Sequence, residues 1–220
     1  MSTVGIHLFS KNPIPGWCKT RLGKEIGQTN AALLQEALLK DHLLFLKTHS
    51  ILFQGWIGVP TGFQDSQSTV NFLNNSYIIQ QTDLGIVMEQ ALIWGKDHLS
   101  WSGSILIGVD SPLAVFNSLK IAVEIVKQNQ IVLGPTIDGG VYLIGVPNIW
   151  QNPLQATPWG TDQVFHRLFK NAAKSQLSVH LLPIERDIDR KEDLLAIKDE
   201  LMAESSLFHH VRDFLIKNYF

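Results

Sequence analysis

Cysteine is almost absent. Cys18 stands alone among 220 residues, which excludes an intrachain disulfide framework and leaves too few thiolates for a zinc cluster. A reducing, cytoplasmic setting is the expectation that follows. There is no run of the roughly 20 consecutive apolar residues that a membrane-spanning helix needs. The opening MSTVGIHLFSKNPIPG is apolar only over a strand's length and lacks the basic segment and longer apolar stretch of a signal peptide. An excess of either charge is missing too. With 18 basic and 20 acidic residues and a formal net charge of -2, no general field draws the chain to nucleic acid or an anionic membrane, so any basic function must be local. The Walker spacing Gly-x-x-x-x-Gly-Lys-Ser/Thr is also lacking, which excludes a P-loop ATPase or GTPase. No repeat, linker or low-complexity tract interrupts the chain. A composition 45% hydrophobic and 17% charged suits one sizeable core, so a single domain over residues 1–220 is expected.

What is present is an alternation of short β-rich runs with longer helical patterns, the signature of a layered α/β fold. Val4 to Phe9 reads as the first buried strand. Residues Asn30 to His49 carry Leu33, Leu34, Ala37, Leu38, Leu44 and Phe45 at helical spacing, with Thr29 or Asn30 available as N-cap. ILFQGWIGV and YIIQQ read as strands, and GFQDSQSTVNFLNN between them as a loop holding a short helix. Leu84 to His98 is helical. Ser104 to Val109 is apolar without alternation, as in a strand covered on both faces, and it ends at Asp110. A helix over Leu119 to Gln128 precedes IVLGP and GVYLIGV, whose connection TIDGG is too short for a parallel crossover. A hairpin or a bent connection is expected there, and hence a mixed sheet. A helix over Asp162 to Ala173, a strand LSVHLLP, the acidic turn ERDIDRKEDL and terminal helices over about 190–220 complete the chain.

Four polar stretches fall at strand ends, where ligands of open α/β sheets sit. In KNPIPGWCKTRLG, glycine permits close backbone approach, Pro13 and Pro15 stiffen the loop, and Lys19 and Arg21 offer a point charge and a planar fork for phosphate oxygens. The alternative is that Arg21 ties down a neighbouring helix. In LIGVDSP, Asp110 stands just beyond the central strand, placed either for a divalent cation or to cap the next helix. In LGPTIDGGVYLIGV, Gly139 and Gly140 after Asp138 allow close approach of a substrate or simply a tight turn, and Asp138 is a candidate general base. In RDIDRKEDL, Asp187 and Asp189 are candidate metal carboxylates, while Glu192 or Asp193 suits a first helical turn. His7, inside an apolar strand, reads as a core histidine. His209 and His210 are adjacent and so diverge on a helix.

Taken in order, KNPIPGWCKTRLG, DLGIVMEQAL, IGVDSP, LGPTIDGGVYLIG, PWGT and DIDRKEDL resemble a bacterial family of GT-A-like transferases once catalogued as a domain of unknown function, associated with radical-SAM proteins and arsenosugar biosynthesis. The resemblance covers roughly residues 4 to 200. It extends to phospholactate guanylyltransferases, whose K-S-R-L pattern KTRL is similar to, and to molybdenum-cofactor guanylyltransferases. It implies a single-domain, three-layer nucleotide-diphospho-sugar transferase (GT-A-like) α/β fold with a mixed, mostly parallel central sheet. It implies Lys19 and Arg21, with Lys11, as phosphate ligands; Asp83, Leu84 and Gly85 near the nucleotide; and Asp138, Gly139 and Gly140 on the acceptor side. Asp110 becomes the leading ligand of a divalent metal, Mg2+ or Mn2+, and Asp189 or Asp187 the second.

Four positions depart from the family pattern. Ile86 and Val87 replace the acidic residue and arginine of D-L-G-E-R-M, Trp17 stands where a basic residue is common, and Val141 takes the aromatic place of D-G-G-Y. The leading reading is glycosyl transfer from a nucleotide-diphospho-sugar to a small acceptor. Nucleotidyl transfer from an NTP to a phosphorylated acceptor, and nucleotide binding without catalysis, are the alternatives.

Overall fold

The computed structural model describes residues 3–63, 76–80, 83–203 and 207–218. The elements run β1 (Val4–Lys11), α1 (Thr20–Ile26), α2 (Gln28–Thr48), β2 (Phe53–Val59), β3 (Ser76–Gln80), α3 (Leu84–Asp97), β4 (Gly103–Ile107) and α4 (Pro112–Lys127). Then come β5 (Ile131–Pro135), β6 (Val141–Pro147), α5 (Val164–Lys174), β7 (Val179–Leu181), α6 (Lys191–Ala196), α7 (Lys198–Met202) and α8 (His209–Lys217). Seven strands form one sheet in the order β3-β2-β1-β4-β6-β5-β7. Strands β1 and β4, β2 and β3, and β5 and β7 pair in parallel, whereas β6 is antiparallel to both its neighbours. The mixed, mostly parallel sheet expected from the sequence is the one observed.

The unbroken apolar run of β4 is explained by its place between β1 and β6: every residue from Gly103 to Ile107 is buried. Ile6 and Leu8 lie beside Ile105 and Ile107, and each such side chain stabilises the fold by about 1.5–3 kcal/mol through loss of its water contact. TIDGG joins β5 to β6 as a hairpin, because the two strands are antiparallel and successive.

Two compact units divide the chain. The first comprises Met1–Leu8, Leu52–Gln54 and Thr82–Arg186. In it α4 packs on β4, β5 and β6 through Ala114, Val115, Leu119, Ala122 and Val126. This helix begins at Pro112, well before the expected Leu119, because proline at the first helical position gives up an N–H that has no helical partner there. His7 is fully buried, its ring 5.0 Å from that of Trp101. Burial pushes its imidazole down to about 3, so it is neutral, as expected of a core histidine.

The second unit comprises Phe9–Ile51, Gly55–Gln81 and Asp187–Phe220. The long helix α2 starts at Gln28, capped by Gly27 at φ 89°, rather than at Thr29 or Asn30. The left-handed glycine lets α2 follow α1 after a single residue, and the Asn30 amide donates to the Ile26 carbonyl at 2.9 Å. The buried stripe of α2 runs through Ala31, Leu34, Leu38, His42 and Leu46. Leu33 and Leu44, expected in the apolar face, are exposed. Terminal helix α8 packs on α2 with Val211, Phe214 and Leu215 buried. Asp41 of α2 caps it, accepting the His210 and Val211 N–H groups at 3.0 and 2.9 Å. The short helix expected within residues 62–75 falls on 64–75, outside the described residues.

Candidate active site

The second unit gathers the basic loop and the acidic turn. Residues 12–19 form the connection after β1, and the residues from Thr20 onward are already helical, so Arg21 lies in the first turn of α1. Lys19 occupies the N-cap position in a left-handed conformation, φ 43° and ψ 48°. Its ammonium donates to the Ile188 carbonyl at 2.8 Å. The Arg21 guanidinium pairs with Asp189 Oδ2 at 2.5 Å. Three of the predicted residues, Lys19, Arg21 and Asp189, are thereby brought together from segments far apart in sequence. Asp187 stands two residues before Asp189 in the same turn, half-buried. Asp193 fixes that turn by accepting the N–H groups of Asp189 and Arg190 at 3.2 and 2.7 Å, the first-turn role expected of it.

Lys11 lies apart from that cluster's hydrogen bonds, with its ammonium 5.3 Å from the centre of the Trp17 ring. Trp17 Nε1 in turn donates to the Gly58 carbonyl at 3.4 Å. The departure from a basic residue at position 17 thus gives Lys11 an aromatic face. Cys18 is buried and its thiol donates to the Ile14 carbonyl at 3.5 Å, a packing role rather than that of an exposed nucleophile.

The first unit holds the other candidates. Asp110 is exposed beyond β4. The N-cap of α4 is Ser111, not Asp110. Asp138 lies in the hairpin turn, where its Oδ1 accepts the Thr136 hydroxyl at 2.5 Å and the Gly140 N–H at 3.0 Å. These two bonds fix the carboxylate against its own turn. Gly139 has φ 86°, and a Cβ there would lie 2.1 Å from the Asp162 carbonyl oxygen. The Gly139 carbonyl accepts the Phe165 N–H at 2.9 Å. The close approach that Gly139 permits is therefore made by the chain's own backbone. Asp83 caps α3, its Oδ1 accepting from the N–H groups of Gly85 and Ile86 at 2.8 and 3.3 Å. Ile86, the departure in this motif, is 52% exposed, whereas Val87 is buried.

Trp159 lies in the PWGT turn that carries part of the family resemblance, without a binding or catalytic role expected of it, and Asp162 was not singled out for function from sequence. The turn that carries them meets both glycine motifs: Asp162 packs on Gly139 and Trp159 on Gly85. The sequence signal was the spacing of glycines that need a close neighbour, but it does not say which neighbour. Among the described residues, no group of three or more His, Cys, Asp or Glu side chains is arranged to hold a metal ion.

A family model described as "Uncharacterized protein conserved in bacteria (DUF2064)" matches residues 62–161. The solved structure of a candidate nucleotide-diphospho-sugar transferase from Desulfovibrio desulfuricans G20 is similar over 100% of this chain and 96% of its own, with TM-score 0.83 and 26% identity. The chain has the nucleotide-diphospho-sugar transferase fold. A cytidylyltransferase from Leptospira borgpetersenii serovar Hardjo-bovis (strain JB197) shares it at TM-score 0.58 and 15% identity, over 100% of this chain and 96% of that one. A 4-diphosphocytidyl-2C-methyl-D-erythritol synthase shares it at TM-score 0.57 and 9% identity, over 91% and 99%. No curated protein matches the chain. No helix among the described residues is long and apolar enough to cross a membrane.

Proposed function

We propose that this chain is a glycosyltransferase that takes its sugar from a nucleotide-diphospho-sugar donor and passes it to a small acceptor. The observation that carries this reading is the full-length similarity to the Desulfovibrio protein, at 26% identity. The cluster of Lys19, Arg21 and Asp189 supports it, because two cations at a strand-to-helix connection suit a diphosphate.

On this reading Lys19 and Arg21 bind the donor's phosphates, with Arg21 exchanging the Asp189 carboxylate for phosphate oxygens. Asp83 and Gly85 belong to the nucleotide side. Asp110, Asp187 and Asp189 are oxygen ligands of the kind that Mg2+ or Mn2+ takes. Such an ion, when bound, neutralises charge on the departing nucleoside diphosphate. Gly139 and Gly140 line the acceptor side. Asp138, one oxygen held by Thr136 and Gly140, uses the other to take the acceptor hydroxyl's proton if the sugar carbon inverts.

Nucleotidyl transfer is the second reading, favoured by the fold shared with the Leptospira cytidylyltransferase. There a phosphorylated acceptor attacks the α-phosphate of an NTP and pyrophosphate leaves.

Thermal-shift binding across nucleoside triphosphates and nucleotide sugars, with Mg2+ or Mn2+, separates the readings. A ligand at 100 times its dissociation constant raises stability by about 2.7 kcal/mol. Metal-dependent stabilisation by a nucleotide sugar, lost in Asp110→Ala, is the expected result, with free nucleoside diphosphate released on turnover. Selective stabilisation by a triphosphate, with pyrophosphate as product, would establish the second reading. No response to either class, in protein that is folded, would leave nucleotide transfer without support.

A further inference from the structure

The turn Pro158–Asp162 contains a tryptophan that behaves unlike those of the core. Trp101 and Trp150 are buried, whereas Trp159 is half-exposed. A Cβ placed on Gly85 would lie 2.3 Å from Trp159 Nε1 and 2.6 Å from its Cδ1. The indole edge therefore occupies the space that a side chain at position 85 would fill. The same point lies 3.0 Å from Asp83 Oδ1, the oxygen that accepts the Gly85 and Ile86 N–H groups. The nitrogen edge of the ring and an exposed carboxylate thus stand on one side of the Gly85 backbone.

Trp159 is itself held firmly. Its backbone N–H donates to the Thr157 carbonyl at 3.0 Å. The Thr161 hydroxyl donates to the Pro158 carbonyl at 2.8 Å and accepts the Gln163 N–H at 3.2 Å. The Asp162 carbonyl packs against Gly139. A turn fixed at both ends can impose an orientation on whatever it touches, and what Trp159 touches is the start of α3.

We propose that Trp159 is a positioning residue for the nucleotide: its indole edge pins the Asp83–Gly85 turn and so fixes the direction in which the Asp83 carboxylate meets the bound nucleoside. This rests on the function proposed above for the identity of the ligand. It needs glycine at position 85, because any larger residue expels the indole. It also accounts for a half-exposed tryptophan beside a helix start whose amides are already capped by Asp83.

The test has two parts. Amide exchange of Gly85 and Ile86 is followed in wild-type protein, Trp159→Ala and Trp159→Phe. At least tenfold faster exchange in Trp159→Ala is expected, with partial rescue in Trp159→Phe and unchanged protection in α4. Wild-type rates at both amides in Trp159→Ala would overturn the pinning, whether or not a ligand is known. Dissociation constants for CTP, GTP, UTP, UDP-glucose and GDP-mannose, each with Mn2+, are then compared. A tenfold or greater weakening in Trp159→Ala, recovered in Trp159→Phe, supports positioning. Loosened amides with an unchanged dissociation constant would make Trp159 a packing residue and overturn the proposal. Wild-type protein that binds none of the five would overturn the nucleotide-transfer function and the ligand-positioning role with it, while the exchange result still decides whether the indole holds the turn.

Discussion

Arg21 and Asp189 form an ion pair 2.5 Å long in which both partners remain open to solvent, their side chains 65% and 37% exposed. A pair this exposed contributes about 0–1 kcal/mol, because water screens the attraction and ordering two side chains costs entropy. Its effect on stability is therefore small, and its value is in what it places. Arg21→Ala is expected to change the urea midpoint little, yet to weaken nucleotide binding by roughly 10- to 100-fold, the equivalent of losing a charge-assisted hydrogen bond of about 1.5–3 kcal/mol. Denaturation and binding titrations on the same preparations check this. Equal loss of stability and no loss of binding would make Arg21 a structural tie for the acidic turn.

His7 gives the fold a pH dependence with a definite sign. Its ordinary value of 6.5 is depressed to about 3 by burial, so between those values the unfolded chain takes up a proton that the native chain refuses. Stability contributed by neutral His7 is fully present above pH 6.5 and is lost as pH falls toward 3, at about 1.4 kcal/mol per pH unit for this one group. Replacing the ring with an apolar one of similar bulk, His7→Phe, removes this component of the slope between pH 6 and 4. Urea unfolding at several pH values measures it, and an unchanged slope would show that other groups govern acid unfolding.

The sheet was legible in the sequence because burial on both faces leaves an apolar run without alternation, as in β4, and because TIDGG is too short for a parallel crossover. Helix boundaries were less legible. α4 begins at Pro112 because a proline that looks like a breaker is well suited to the first helical position. In α2, Leu33 and Leu44 share the helical period with the buried stripe but lie off its axis, and only tertiary contacts select the stripe. The candidate site divides in the same way. Residue type and order singled out Lys19, Arg21 and Asp189, which come together. The partners of Gly85 and Gly139 were hidden, since a glycine announces that something approaches closely without saying that it is Trp159 or Asp162.

Asp41 reaches across from α2 to satisfy two N–H groups in the first turn of α8. Burial raises its carboxyl above the ordinary value, opposed by those two bonds. Asp41→Ala leaves both amides without their acceptor and is expected to cost about 1–3 kcal/mol. The loss should begin with α8: amide exchange at His210 and Val211 rises before α2 loses protection. Uniform loosening of the two helices would mean that they unfold as one piece and that the cap has no local role.

Gly139 and Gly160 have similar backbones, φ 86° and 78°, yet different surroundings. A Cβ on Gly160 meets nothing within 4 Å, whereas one on Gly139 falls 2.1 Å from the Asp162 carbonyl oxygen and 2.8 Å from its carbon. Gly160→Ala should therefore cost only the left-handed conformational penalty, about 1–2 kcal/mol. Gly139→Ala carries the same penalty and must in addition push apart two backbones. That displaces the Phe165 N–H from the Gly139 carbonyl and moves the turn holding Asp138. Its cost should exceed that of Gly160→Ala by at least the 1 kcal/mol or so of one hydrogen bond, with catalytic turnover falling further than stability alone explains. Equal destabilisation by the two alanines would show that the 162 backbone yields freely, and that the contact between these turns does not set the geometry of the Asp138 turn.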